Sequence, residues 1–154
     1  MALRRGNTLK TTNGKSIGTI KDIKYDQGVI RNRHSKTDVD DKYYERLIVA
    51  VEFEGTVKPI TKEIRMSANI RGKIDEAKVG GKLVPVYNRA STLMLRLNLV
   101  TIEELEDMPE DLEARLSESL EKLQGRRIKC AFERDEKNPG FQNIAIQSIE
   151  LLEN

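Results

Sequence analysis

The residues of this chain with the clearest chemical potential are a few aromatic side chains interleaved with basic ones. A planar ring can stack on a nucleobase, which is worth roughly 1–3 kcal/mol per base, and a Lys or Arg can neutralise a phosphate. Both kinds lie in segments whose patterns are typical of strands and loops. The candidate stacking residues are Tyr25, Tyr43, Tyr44 and Phe141. The candidate phosphate contacts are Arg31, Arg33, Lys36, Arg46, Lys62, Arg65 and Lys137.

Charge is distributed unevenly along the chain, although the formal net charge is only +2. Residues 1–100 contain 20 Lys and Arg against 11 Asp and Glu, a balance of +9, whereas residues 101–154 contain 7 against 14, a balance of −7. A basic half is typical of proteins that bind polyanions, because neutralised phosphates release their counterions. Charge runs also occur on faces that only contact water. The interleaved tyrosines favour the polyanion interpretation.

Catalytic and metal-binding patterns are weaker. Asp38, Asp40 and Asp41 suggest a calcium loop, but its sixth and twelfth positions are Tyr43 and Val49, where Gly and Glu are required. The carboxylates within residues 103–107 could hold magnesium in a nuclease. A solvent-exposed segment that precedes the helix is the better explanation for them. The single cysteine and the single histidine lie in different segments and form no zinc or nucleophile motif. We therefore predict no catalytic residue, no metal and no cofactor.

The elements that would position the aromatic and basic residues are mainly strands. A long first strand is predicted over 15–30, with bulges at its internal glycines. Residues 43–54 alternate between apolar and mixed side chains, which is the clearest strand pattern of the chain. Gly55 then turns the chain back into a third strand at 58–67, so the two form a hairpin.

An amphipathic helix is predicted in the acidic half. Leucines at 112, 116, 120 and 123 form one apolar stripe at helical spacing. Asp107 is the candidate N-cap, Pro109 falls in the first turn, and Gly125 ends the helix. Two strands follow, at 128–133 and 141–151, and the polar residues between them predict a turn.

The stretch from 69 to 100 is harder to assign. A short helical turn is suggested at 74–78, before Gly80 and Gly81. Leucines at 93, 95, 97 and 99 alternate as in a strand, but residues 93, 94, 97 and 100 also fit one helical face, and we favour the helix because Leu and Met prefer it. Residues 1–14 are predicted to form a flexible basic arm, which leaves 15–154 as one domain.

Three strands, a helical insertion and two further strands are the order of a mainly β, five-stranded oligonucleotide/oligosaccharide-binding (OB) barrel, with the insertion between strands three and four. Five stretches carry a resemblance to known proteins: Lys82-Leu-Val-Pro-Val, the leucine segment 93–99, the acidic helix, Leu123-Gln-Gly-Arg-Arg-Ile-Lys-Cys and Asn143-Ile-Ala-Ile-Gln-Ser-Ile. The resemblance covers about half of the chain. Through these stretches the sequence resembles the OB-fold single-stranded-DNA-binding proteins of phages and conjugative plasmids of Gram-positive bacteria.

This resemblance implies a non-enzymatic protein that binds single-stranded DNA, with RNA as an alternative, in replication or conjugative plasmid transfer. Typical cellular single-stranded-DNA-binding proteins end in an acidic tail that recruits partners. The sequence ends in Glu150-Leu-Leu-Glu-Asn without such a tail, so we do not expect recruitment by that route.

The residues leave a second interpretation open, an OB module for protein interaction. In it the basic arm 1–14 contacts the acidic helix of a neighbour and builds a homo-oligomer. No apolar run approaches the roughly 20 residues that cross a bilayer, and the N-terminus lacks the apolar centre of a signal peptide. One cysteine without a partner fits a reducing compartment. We expect a cytoplasmic protein that does not enter the membrane.

Overall fold

Strands dominate the computed structural model, which describes residues 6–30, 42–138 and 140–153, with backbone alone at 26–30 and 42–44. Within these ranges the strands are β1 (Lys15–Ile30), β2 (Lys42–Phe53), β3 (Ile60–Ser67), β4 (Asp75–Val79), β5 (Lys82–Val86), β6 (Arg127–Arg134), β7 (Gln142–Ile144) and β8 (Glu150–Leu151). The helices are α1 (Arg89–Arg96), α2 (Ile102–Asp107) and α3 (Leu112–Glu121), with a 3₁₀ turn at Ile146–Ser148.

The main sheet has the order β3-β2-β1-β6-β7 with antiparallel pairing throughout, and β8 pairs with the start of β6. Its two ends, β3 and β7, approach each other, so the sheet curls into a nearly closed barrel. The long β1 pairs with both β2 and β6, and its register with β2 shifts between Ile20 and Asp22. Such a bulge bends a strand locally. The barrel confirms the predicted mainly β, OB-like architecture, with the helices inserted between β3 and β6.

The core follows the predicted alternation. Leu47, Val49, Val51 and Phe53 of β2 are buried, and so are the α3 leucines at 112, 116 and 120. Each fully buried side chain of this size contributes about 1.5–3 kcal/mol relative to exposure. The ring of Phe53 meets that of Phe132 edge to face, with centroids 5.2 Å apart. Gly18 makes room for this pair, because a Cβ there would lie 2.6 Å from the Phe53 ring.

The predicted N-cap of the acidic helix is wrong. Asp107 is the last residue of α2, and α3 begins only at Leu112. The reason is an earlier start signal: the Thr101 hydroxyl accepts from the Glu104 backbone N–H at 3.1 Å, and the Glu104 carboxylate accepts from the Thr101 N–H at 3.1 Å. This capping box begins a separate short helix. Met108, with φ +47°, ends it before α3.

The helical turn suggested at 74–78 is also wrong, since these residues belong to a hairpin of β4 and β5. Gly80 and Gly81 both have positive φ, +58° and +80°, as a two-residue hairpin turn of primed type requires. In contrast, the helix favoured around Leu93 is confirmed as α1. It begins after Asn88, whose side chain accepts from the Ser91 N–H.

The last predicted strand, 141–151, is interrupted. β7 and β8 pair with opposite ends of β6, and the 3₁₀ turn lies between them. Ser148 explains the interruption, because its hydroxyl accepts from the Ala131 N–H at 2.8 Å in place of a strand carbonyl. It also donates to the Ala145 carbonyl at 2.6 Å, which closes the turn. Side-chain bonds of this kind compete with regular ladder pairing.

Residues 7–12 form an N-terminal strap along the turn between β2 and β3. The Lys10 N–H donates to the Glu54 carbonyl at 3.0 Å, and the Thr56 N–H donates to the Thr8 carbonyl at 2.8 Å. Asn7 accepts from two N–H groups of the turn through its side chain. The described part of the predicted arm is therefore hydrogen-bonded to the barrel.

Over the described ranges, no helix combines the length and apolarity needed to cross a membrane.

Candidate nucleic-acid interface

A groove of about 460 Å³ runs along the seam where β3 approaches β7. The strap and β3 form one wall, and the end of β6 with the start of β7 forms the other. We call it the seam groove. Its lining residues are Asn7, Thr8, Leu9, Ile60, Lys62, Arg134, Gly140, Phe141 and Gln142.

The seam groove is positively charged. Lys62 and Arg134 line it, and no carboxylate is among its described lining residues. Within the described ranges, neither cation lies within ion-pair distance of a carboxylate. Lys62 faces the groove because it shares a strand face with Ile60 and Ile64, at the point where the barrel opens. Cations without acidic partners in a concave site attract anions.

An aromatic side chain lies at the edge of these charges. Phe141 is 63% exposed, which is unusual for a ring of this size in a chain with few aromatics. It follows the β6–β7 turn, where the Asp135 N–H donates to the Phe141 carbonyl at 3.0 Å. Lys137 is exposed in the same turn. An exposed ring beside cations can stack on a base while the cations contact the phosphates.

Asp135 holds the β6–β7 turn in shape. Its carboxylate accepts from the Asn143 side chain at 3.1 Å and from the N–H groups of Lys137 at 2.8 Å and Asn138 at 3.3 Å. The bond from Asn143, followed by the two backbone bonds, holds the pKa of Asp135 below its ordinary value. The position of Phe141 is thus fixed by an ionised carboxylate at the base of the turn.

The structure places two predicted phosphate contacts on a different surface. Arg46 pairs across the sheet with Ser67, and Arg65 with Ile48, on the outer face opposite the buried residues of β2 and β3. Arg65 forms an ion pair with Glu63 at 3.2 Å. These two arginines therefore do not join Lys62 in the seam groove.

Five further candidates lie where their side chains are not described. Tyr43 and Tyr44 begin β2, in register with Val29 and Gly28 of β1. The backbone order thus puts both tyrosines next to the connection between these strands. Arg31, Arg33 and Lys36 lie outside the described residues.

Tyr25 lies in a second groove of about 360 Å³ beside α3, which we call the acidic groove. Burial, followed by the nearby carboxylates of Glu113 and Glu45, raises the pKa of Tyr25, although a hydrogen bond with Ser117 opposes the shift. Tyr25 is therefore separated from Phe141 and surrounded by negative charge. The groove is lined by Ile23, Tyr25, Glu45, Ala68, Ile70, Glu113, Ser117, Leu120 and Glu121.

Sequence reasoning missed part of the seam groove. Arg134 was not singled out, although it ends a predicted strand immediately before the turn that carries Lys137 and Phe141. Asn7 and Thr8 were also missed, because their part in the groove depends on long-range bonds to the β2–β3 turn. Clustering of Arg134, Lys137 and Phe141 within eight residues was the available signal.

Other chemistry has little support in the part of the chain that the structure describes. No group of three or more His, Cys, Asp and Glu side chains there is placed to hold a metal ion. Cys130 is fully buried in β6, and burial raises the pKa of its thiol to about 12. It is therefore a protonated core side chain, as its alternating position in the strand predicts.

Comparison with known proteins adds no relative. No protein-family model matches the chain, and neither the search of curated proteins nor the search of solved structures finds a match.

Proposed function

We propose that this protein binds single-stranded DNA without catalysing a reaction, and that the strand passes through the seam groove. The observation that carries the proposal is the convergence of Lys62, Arg134 and the exposed Phe141 on one groove of an OB-like barrel. OB folds bind oligonucleotides at the face of strands two and three and at the loops after strands one and four. The β6–β7 turn is the loop after the fourth barrel strand in this chain.

The chemistry of each side chain assigns it a separate contact with the nucleic acid. Lys62 and Arg134 contact phosphates, Lys137 extends this contact to the turn, and the ring of Phe141 stacks on one base. Arg31, Arg33, Lys36, Tyr43 and Tyr44 stay sequence-based predictions for the same function, without a described side-chain position.

A single strand is favoured over a duplex because stacking on Phe141 needs a base with a free face. In a duplex both faces of each base are covered by neighbouring bases. The described lining of the seam groove has one exposed ring, which makes stacking sparse. Phosphate contacts therefore carry much of the affinity, and binding should weaken steeply with salt. A role in replication or plasmid transfer follows from the resemblance of the sequence, and RNA stays an alternative ligand.

Fluorescence anisotropy with a labelled oligothymidine and a matched duplex, each at low and at physiological salt, tests this proposal. We expect tighter binding to the single strand and a fall of log K with log salt of roughly 0.7 for each phosphate contacted. An oligouridine of the same length measures the preference between DNA and RNA. Absence of binding to every oligonucleotide at low salt would contradict the proposal.

The acidic groove favours a second candidate function, assembly of copies through the basic arm. Three carboxylates line it, and the arm contributes Arg4 and Arg5 ahead of the strap. Deletion of residues 1–5 leaves the strap intact and should reduce the oligomer size measured by light scattering if the arm links copies. A Glu113→Gln, Glu121→Gln variant should do the same. Unchanged size in both variants would remove this candidate.

A further inference from the structure

The hairpin of β4 and β5 is the least integrated element of the described chain. All ten of its strand residues are exposed except Pro85, which is half-buried, and the two strands pair only with each other. A two-stranded hairpin on its own is at best marginally stable in water. Something besides its own ladder is therefore expected to stabilise it.

The two faces of the hairpin differ. One face borders the body of the domain: Pro85 and Leu83, which is itself 64% exposed, line an open groove together with Tyr87 and Leu105. The strand register places the alternate residues on the opposite face. That face, which we call the outer hairpin face, consists of Asp75, Ala77, Val79, Lys82, Val84 and Val86.

The centre of the outer hairpin face is apolar and open. Val79 is 62% exposed, Val84 42% and Val86 36%, and Ala77 between them is also exposed. Scattered single aliphatic residues on a surface need no explanation, but four neighbouring ones on one exposed sheet face indicate a contact surface.

The ends of this face carry opposite charges. Asp75 lies opposite Val86 at one end, and Lys82 lies opposite Val79 at the other. Neither charged side chain is within ion-pair distance of a partner among the described residues. A face with a neutral middle and opposite ends is complementary to itself when turned end for end.

We infer that the outer hairpin face is the contact between two copies of this chain, related by a two-fold axis that passes near Ala77. The valines of both copies pack across the axis, and Lys82 of each copy lies beside Asp75 of the other. A polyanion would require a cationic face, and a basic or acidic protein partner would require a face of one sign. The balanced charges of this face select a second copy over those partners.

The size of the face determines how strong the contact is. Four small apolar side chains per copy make an interface well below the roughly 1,200 Å² of stable complexes. The dimer is therefore reversible, and a bound polymer that carries several copies raises their local concentration and favours it. This contact uses neither the seam groove nor residues 1–5, so it is separable from both functions proposed above.

Sedimentation velocity across a wide protein concentration range, without nucleic acid, tests the inference. The unmodified chain should pass from monomer to dimer, and Val84→Glu should shift the midpoint at least tenfold upward. Val57→Glu is the matched control, because Val57 is 66% exposed on the β2–β3 turn and lies away from the hairpin. A monomer at the highest attainable concentration, or equal shifts by the two variants, would overturn the inference.

Exchanging the charges of Asp75 and Lys82 distinguishes a two-fold contact from nonspecific association. Asp75→Lys alone and Lys82→Asp alone should each weaken the dimer, and the double variant should restore it. An Ala77→Cys variant should be cross-linked between copies by a short bis-maleimide, since facing sheets lie about 10 Å apart. Val57→Cys is the control for random collision. Failure of both the restoration and the selective cross-link would contradict this geometry even if a dimer forms.

Discussion

The seam groove and the acidic groove are comparable in volume and opposite in charge. Their volumes are about 460 and 360 Å³, and each includes one aromatic side chain. The described lining of the seam groove contains two cations and no carboxylate, whereas the described lining of the acidic groove contains three carboxylates and no cation. The uneven charge along the sequence thus becomes a separation in space.

The comparison shows that an aromatic side chain acquires its role from its surroundings. Phe141 is 63% exposed beside cations, whereas Tyr25 is 37% exposed beside Glu113 and Glu45 and forms a hydrogen bond with Ser117. A phosphate that approached Tyr25 would meet like charge, which weakens binding. The same ring chemistry is therefore suited to stacking in one groove and to packing against α3 in the other.

Charge reversal in the seam groove should have the largest effect. A Lys62→Glu, Arg134→Glu variant removes two phosphate contacts and adds two repulsive charges, so we expect oligothymidine affinity to fall about 100-fold or more at low salt. The salt dependence should also flatten, by roughly 0.7 units of slope for each lost phosphate contact. Fluorescence anisotropy as a function of salt measures both quantities.

The control for net charge is a Lys78→Glu, Lys122→Glu variant, which changes the formal charge equally at two exposed sites outside both grooves. Its affinity should fall only a few-fold, through the general field of the protein. Equal losses in the two variants would mean that the seam groove has no special part in binding.

Removal of one ring from each groove should have an intermediate effect that differs between the two. Phe141→Ala should weaken binding by ~1–3 kcal/mol, the usual contribution of one stacked base. Tyr25→Ala should leave the affinity within about twofold, because the acidic groove is not on the proposed track, although it should lower the melting temperature by removing packing against α3. The opposite pattern of affinities would move the binding site to the acidic groove.

The smallest expected effect concerns acid and the β6–β7 turn. The folded pKa of Asp135 is lowered, so its stabilisation of the turn is present above the ordinary pKa of 3.8 and is lost as the pH falls through the lower folded value. The hydrogen-exchange protection factors of the Lys137 and Asn138 amides, in which the intrinsic pH dependence of exchange is divided out, should therefore fall in acid. Asp135→Asn should show lower protection factors at neutral pH with little further change in acid, and an unchanged profile in that variant would contradict the assigned role.

The parts of the fold that could be predicted are those in which burial alternates within one segment. β2 shows this most clearly, because every second side chain from Leu47 to Phe53 is buried. The β4–β5 hairpin could not be predicted in that way, because both of its faces are exposed. Its sequence therefore has no alternation of buried and exposed residues that would indicate a strand. The predicted N-cap at Asp107 is wrong for another reason. Thr101, six residues earlier, forms a capping box with Glu104 and already begins a helix in the same acidic segment.

The candidate site could be predicted only in its local parts. Lys62, Lys137 and Phe141 were chosen because rings and cations occur in strands and turns. Their grouping depends on closure of the barrel, which brings β3 to β7 across about 80 residues of sequence, and no local pattern encodes that pairing. Arg46 and Arg65 show the converse, because basic residues on a strand divide between its faces and only the register decides which ones meet a groove.

The strap gives the seam groove a particular order of assembly. Its walls come from residues 7–9, 60 and 62, 134 and 140–142, so they combine segments that leave the ribosome well apart in time. Because synthesis proceeds from the N-terminus, the wall formed by the strap and β3 can be present before the wall with Arg134 and Phe141 has been made. A growing chain therefore has no complete seam groove until residues 140–142 have been made, so under the proposed function it cannot hold a nucleic acid there before the barrel can close.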